Sequence, residues 1–223
     1  MNPFNASFLM SELIDEAEEA GIRISFRTDI AALYRLENEL TGKALSPLFH
    51  PGKFDLVSDR VFWIHGTNEE GRTVHVQASK LDDTGRNNLE ELLQAQLARC
   101  FHSDPPLTNG SPMRALQGLC AYHGDTWVDR DLRKNGLGPL LTKIGLLATF
   151  IRWQPDYVYA WFENPIMYGG FGVRSWYTNF ARVGQHWHKW ILPQEFFSWM
   201  SHEDMINLIE LETPRSGLKH LPR

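Results

Sequence analysis

An arginine and two glycines in the order Arg133-x-x-Gly136-x-Gly138 lie between a β-type run ending near Val128 and an apolar helical stripe. Leu140, Leu141, Ile144, Leu147 and Ile151 recur at the spacing of one helix face, so the glycines stand at a helix entrance. A helix N-terminus presents amide N–H groups without intrahelical partners and a partial positive charge, and glycines let a ligand approach that backbone closely. The chemistry of such a loop is the binding of a phosphate. Pro139 removes one N–H from the first turn, at a place where proline is otherwise well tolerated.

Other reactive arrangements are sparse. The sequence has no GxxxxGK[ST] loop, no HExxH and no GxSxG. A dinucleotide fingerprint fails because its third glycine position is Leu141. His186-x-His188 could place two imidazoles on one strand face, but no third ligand is indicated, so no metal is expected. Cys100 and Cys120 make no CxxC pair, and Cys120 reads as a buried, protonated thiol on a strand.

These residues must be held by the elements around them. Residues 1–21 read as a helical extension stopping at Gly21. Ile22, Ile24 and Phe26 alternate with Arg23, Ser25 and Arg27 as in a half-buried strand, and Asp29 caps a helix with the face Ala32, Leu33, Leu36 and Leu40. Ala44 to Asp59 is irregular, and Val61 to Thr67 with Thr73 to Leu81 form a hairpin around Asn68-Glu69-Glu70-Gly71. Leu89 to Phe101 is a helix inside an insertion, residues 84–115.

Leu116 to Asp129 is a long strand in which Gly118 and Gly124 mark bends or bulges, and it delivers the chain to the glycine loop. Beyond the apolar helix, Tyr157 to Phe162 is a buried strand, so strand, helix and strand make a parallel crossover. Val173 to Val183 and Trp187 to Pro193 read as two more strands paired through Gly184-Gln185. Ser201 to Leu211 reads as a closing helix within residues 194–223.

The spacing of Val128, Arg133, Gly136 and Gly138 between strand and helix resembles the acyl-coenzyme A signature of the GNAT N-acyltransferase superfamily, and the resemblance covers roughly Ile22 to Pro193. The sequence departs from the family pattern at Arg130, where members often have proline, and at Pro139. The resemblance implies an α/β fold in residues 22–193: a GNAT-like mixed, mostly antiparallel sheet with splayed central parallel strands flanked by helices. It implies acetyl-CoA or another acyl-CoA as cosubstrate, bound through Val128, Arg133, Lys134, Asn135, Gly136, Leu137, Gly138 and Asn164. Asn164 and Gly170-Phe171 match an Asn and a Gly-Phe pair that follow the fifth strand in the family; their shorter separation here implies that the intervening helix is cut down or replaced.

Acyl transfer to an amine needs a positioned thioester, a neutral amine and a proton for the departing thiolate. In the family the acid is often a tyrosine before the Gly-Phe pair, here Tyr168, and the base a carboxylate on the fourth strand or near the fifth. Glu163 is the base candidate, with Tyr122, His123 and Asp125 nearby. The expected reaction is direct transfer of an acyl group, acetyl foremost, to a primary amine. Transfer of a longer acyl chain and a non-catalytic binding module stay open. Phe49, Phe54, Trp176, Phe180 and Trp190 suggest aromatic walls for a small amine with an apolar or aromatic body.

Composition bounds the partners. A formal net charge of −5 argues against general nucleic-acid binding, so phosphate recognition has to be local. The N-terminus shows no signal-peptide pattern and no apolar run reaches membrane-spanning length, so a reduced, cytoplasmic protein is expected. A homodimer stays open.

Overall fold

Alternating apolar runs and helical stripes assemble into a sheet covered on both faces. The computed structural model describes residues 3–40, 44–101, 111–133, 136–182 and 195–219. In chain order these contain α1 (Pro3–Glu19), β1 (Arg23–Arg27), α2 (Ile30–Leu36), β2 (Val61–Thr67), β3 (Thr73–Asp83), α3 (Leu89–Phe101), β4 (Leu119–Val128) and α4 (Leu137–Trp153). Then follow β5 (Tyr157–Glu163), α5 (Asn164–Tyr168), α6 (Phe171–Arg174), β6 (Asn179–Arg182), β7 (Glu195–Ser201) and α7 (His202–Lys219). Among the described residues the strand order is β1-β2-β3-β4-β5-β7-β6, antiparallel throughout except for the parallel pair β4–β5. This is the expected mixed, mostly antiparallel architecture.

Each face has its own core. On one, α1, α4 and α7 bury Leu9, Leu13, Leu141, Ile144, Leu147 and Ile209 against Ile64, Ala121, Val158 and Met200. On the other, α2, α3 and the irregular segment bury Leu33, Phe49, Leu93 and Leu97 against Trp63, Val76, Tyr122, Tyr159 and Phe197. The N-terminal helix is therefore part of the core, and α3 covers the sheet together with residues 44–59. Lys53 Nζ donates to the Cys100 carbonyl at 2.7 Å and Trp63 Nε1 to the Asp29 carbonyl at 2.8 Å, fastening this second layer.

Four expectations change. The strand expected from Leu116 begins at Leu119, because residues Pro112–Ala115 make a 3-10 turn capped by Ser111 and Gly118 bends the chain at φ 98°. A Cβ at Gly118 would lie 2.2 Å from the Asp156 carboxylate, which accepts the Leu119 N–H at 2.8 Å. The strand expected over Val173 to Val183 is confined to Asn179–Arg182. Gly170, in the left-handed region, starts α6; Ser175 N–H closes onto the Phe171 carbonyl at 2.8 Å, and Trp176 turns at φ 73°, so local turn bonds override the β propensity of the aromatic run. The strand expected over Trp187 to Pro193 and its pairing through Gly184-Gln185 lie outside the described residues. The partner of β5 is instead β7, beyond Pro193, so the sheet continues past residue 193. Helix α7 then starts one residue later than expected, with Ser201 and Asp204 exchanging backbone-to-side-chain bonds at 2.9 and 3.1 Å, as in a capping box.

A buried polar chain joins α4 to the sheet. Gln77 Nε2 donates to the Leu141 carbonyl at 2.6 Å, which turns its Oε1 towards His123 Nε2 at 2.9 Å. An amide oxygen only accepts, so the proton of the neutral imidazole is on Nε2; Nδ1 then accepts from the Tyr177 hydroxyl at 3.0 Å. Gly145 makes the approach feasible, since a Cβ there would lie 2.4 Å from both Gln77 Oε1 and His123 Nε2. Alanine in a helix gains about 1 kcal/mol over glycine, but forcing a methyl into this chain costs more. Gly145→Ala should therefore lose about 2 kcal/mol on balance, read from urea unfolding; an unchanged or raised midpoint would contradict the packing argument.

Burial lowers the pKa of His123 to about 3 and that of His75, whose Nδ1 donates to the Trp127 carbonyl at 2.7 Å, to about 4. Both lie below the unfolded value near 6.5. Above pH 6.5 neither state holds the proton and their contribution to stability is complete. Between about pH 6.5 and 4 the unfolded chain binds one extra proton per ring, so stability falls with falling pH by about 1.4 kcal/mol per unit for each. His123→Gln should remove one ring's share of that slope, measured by urea unfolding at pH 7, 6 and 5; an identical slope in the variant would show that His123 is not held neutral.

Candidate active site

The sheet opens where β4 and β5 part. Their parallel register runs Cys120↔Tyr157, Ala121↔Val158 and Tyr122↔Tyr159, yet β4 continues to Val128 and β5 to Glu163. Backbone groups on the facing edges of this fork are released from each other and can bond an extended ligand arm between them. On its other edge β4 is bulged: Val76 faces Trp127 and Ala78 faces Gly124, leaving Asp125 and Thr126 as extra length. Asp125 has φ 52°, unusual for a residue with a side chain. Its buried carboxylate accepts the Ser46 N–H at 3.0 Å, and Tyr34 Oη donates to the Ser46 carbonyl at 3.0 Å, so the irregular segment is tied to the bulge. Burial first, and then the Asp125 charge, raise the Tyr34 hydroxyl well above its ordinary pKa.

At the mouth of the fork is the glycine loop. Gly136 has φ 74°, a left-handed conformation that glycine adopts without strain, and forms the N-cap of α4 with no side-chain cap hydrogen bond among the described residues. The amides of Gly136, Leu137 and Gly138 have no intrahelical acceptor, and no acidic residue stands in the first turn. A Cβ at Gly138 would come to 3.0 Å from the Phe171 ring, so this glycine lets α6 lie against the start of α4. Arg133 Nε turns back to the Val128 carbonyl at 2.8 Å, which braces the loop on the strand end. Lys134 and Asn135 lie outside the described residues.

The remaining expected residues separate. Asn164, directly after β5, has a buried Oδ1 that no described group meets. Tyr168 is 68% exposed, accepts from Arg182 Nη2 at 2.5 Å and stands edge-on to Phe196, on the β6–β7 side rather than beside β4. Glu163 is exposed and faces Glu195 across β7, four residues beyond the parting point at Tyr159. The aromatic residues suggested as walls of one acceptor site do not share a pocket. Phe49 is fully buried on the α3 face and Phe54 lies between Lys80 Nζ and the Arg99 guanidinium, whereas Trp176 and Phe180 pack on the α4 face. Phe49 and Phe54 belong to the segment that crosses one face of the sheet and Trp176 and Phe180 to the segment packed on the other, which separates them. Trp190 lies outside the described residues, as do His186 and His188.

Sequence reasoning names Asp125 only as a neighbour and Tyr177 only as one of the many aromatics between Trp153 and Trp199. Gly124-Asp125 was the available signal for the bulge, since Asp is among the few residues that tolerate a positive φ. Nothing local marks Tyr177, whose partner His123 is 54 positions away.

No protein-family model matches the sequence, and a search of curated proteins finds no match. Solved structures do match. The spermidine/spermine N-acetyltransferase SpeG from Vibrio cholerae superposes with a TM-score of 0.50 at 6% identity, over 84% of this chain and 98% of that one. FeeM, an N-acyl amino acid synthase from uncultured soil microbes, gives 0.47 at 12% identity over 82% and 92%. The GNAT family N-acetyltransferase YhbS from Escherichia coli, in complex with CoA, gives 0.43 at 17% over 81% and 80%. The match across nearly all of SpeG is one of architecture, in line with the strand order, the parallel β4–β5 pair and the fork: the chain has the fold of the GNAT acyl-CoA N-acyltransferases.

Proposed function

We propose that this protein transfers an acyl group from acyl-CoA to a primary amine. The observation that carries the reading is a fork between parallel strands that ends at a glycine-lined helix N-terminus with no side-chain cap bond among the described residues. Such a mouth suits a pyrophosphate, and the fork suits the extended, amide-bearing arm that follows it. In this reading Val128 and Arg133 brace the loop, the segment from Lys134 to Gly138 surrounds the phosphates, and the amides of Leu137 and Gly138 donate to them. The buried Asn164 Oδ1 would accept an N–H from the arm, which accounts for its lack of a described partner.

The reaction needs little from side chains once the thioester is in place. The neutral amine attacks the thioester carbonyl, the C–S bond breaks, and the thiolate takes a proton while the amine loses one. Tyr168 is the proposed donor and Glu163 the proposed acceptor, by their positions around β5. Tyr168 must then leave its bond with Arg182 when the cosubstrate enters. The exposed positions of Tyr168 and Glu163, away from the parting point, favour a second reading in which the fold binds acyl-CoA without turnover.

Two measurements separate these readings. Gly136→Asp adds a carboxylate where the phosphates would dock and should weaken CoA binding at least about tenfold by calorimetry; a folded variant with unchanged affinity would remove the loop from the site. Tyr168→Phe should slow single-turnover acyl transfer to a responsive amine by about 10²-fold if the hydroxyl acts as general acid. Equal rates in wild type and variant would remove that role, and CoA binding with no thiol release across an amine panel would favour the binding module.

A further inference from the structure

The parting point of β4 and β5 is enclosed by aromatic side chains on both faces of the sheet. On the α4 face Tyr177 reaches across the fork: its ring stands edge-on to Phe162 of β5 at 5.2 Å and 80°, and its hydroxyl is bonded to His123 of β4, the first residue beyond the paired register. On the opposite face Tyr122 stacks on Phe49 at 5.4 Å and 23° and leans on Tyr159 at 5.4 Å, which in turn meets Phe197 at 5.8 Å. Tyr177, Tyr122, Tyr159 and Phe49 are all buried, the most exposed of them at 6%.

These rings are held as well as packed. The proton on His123 Nε2 is committed to Gln77, so Nδ1 is available only as an acceptor and fixes the Tyr177 hydroxyl as its donor. Gly124 lets the Tyr122 ring lie along its own strand, because a Cβ there would be 2.4 Å from the Tyr122 hydroxyl. A ligand carbonyl placed at the parting point therefore has rigid walls above and below it, rather than an open channel.

We propose that Tyr177 and Tyr122 together form a gate that sets the upper length of the acyl group, admitting two or three carbons and excluding medium and long chains. The inference rests on the acyl-CoA reading above. An open apolar channel would reward each buried methylene with about a fourfold gain in affinity, so a longer chain would bind more tightly. A closed gate reverses that order, since extra methylenes must displace side chains from a filled core.

The test is calorimetric titration of the wild-type chain with CoA, acetyl-CoA and octanoyl-CoA. CoA and acetyl-CoA should bind within about threefold of one another, and octanoyl-CoA at least about tenfold more weakly. Tyr177→Leu and Tyr122→Ala, which open opposite faces, should each bring octanoyl-CoA to within about threefold of acetyl-CoA while leaving CoA affinity near that of wild type. Wild-type protein that binds octanoyl-CoA as tightly as acetyl-CoA overturns the gate, and this arm needs no variant. Two folded variants that bind CoA and still discriminate tenfold also overturn it; where only one folds, that one decides. Failure of CoA itself to bind is the separate result that defeats the acyl-CoA reading, and the gate with it.

Discussion

Parallel strands β4 and β5 share only the register from Cys120↔Tyr157 to Tyr122↔Tyr159, and this short ladder is the constraint on which the rest of the structure depends. Each strand has a full antiparallel partner on its outer edge, β3 for β4 and β7 for β5, so the sheet can tolerate a gap at its centre without leaving an element unsupported. The unpaired inner edges still need polar partners. A ligand arm can supply them, whereas a continued ladder would close the site. The Tyr177–His123 bond fixes one side of this gap to the other on the α4 face, and the Phe49–Tyr122–Tyr159 cluster does so on the α3 face.

The two layers are coupled to the fork by different physics. On the α4 side the link is a directional hydrogen-bond chain in a dry core, where every member has to be satisfied because an orphaned group there is costly. It includes Gln77, His123 and Tyr177 and ends on a carbonyl of the helix whose N-terminus is the proposed anion site. On the α3 side the link is a buried carboxylate. Asp125 holds Ser46 by its amide, and so fixes the irregular segment against the bulge. The positive φ of Asp125 and the burial of its carboxylate both cost free energy, which these bonds offset.

Legibility in the sequence followed the range of the interactions. The crossover from Val128 through the glycine loop to Tyr157 was readable because its signals are local: a β run, glycines at a helix start and an apolar stripe of period 3.6. The bends at Gly118 and Gly124 were readable for the same reason, and both are present. The region after Gly170 was not. Its run of Val173, Trp176, Tyr177 and Phe180 has strand composition, yet the chain turns, because Gly172 lets Met167 and Phe180 pack over it and Tyr177 is drawn to a histidine far away in sequence. The face on which Phe49 and Phe54 or Trp176 and Phe180 fall was equally hidden, since it depends on which side of the sheet each connecting segment crosses, a long-range property.

The charge of the chain bears on how such a site can work. At a formal net charge of −5, long-range attraction would not draw a polyanionic cosubstrate to the protein, so recognition has to arise within a few ångströms. Neutral amides at a helix N-terminus meet that need: their donors act at contact range and are unaffected by the sum of charges elsewhere. Pro139 removes one of them, which leaves Gly136, Leu137 and Gly138 as donors at the helix end. Proline also fixes φ near the helical value and so stiffens the turn that presents the other three. A site with fewer donors held more rigidly gives up some attraction but loses less conformational entropy on binding, and the left-handed Gly136 places no side chain of its own over those donors.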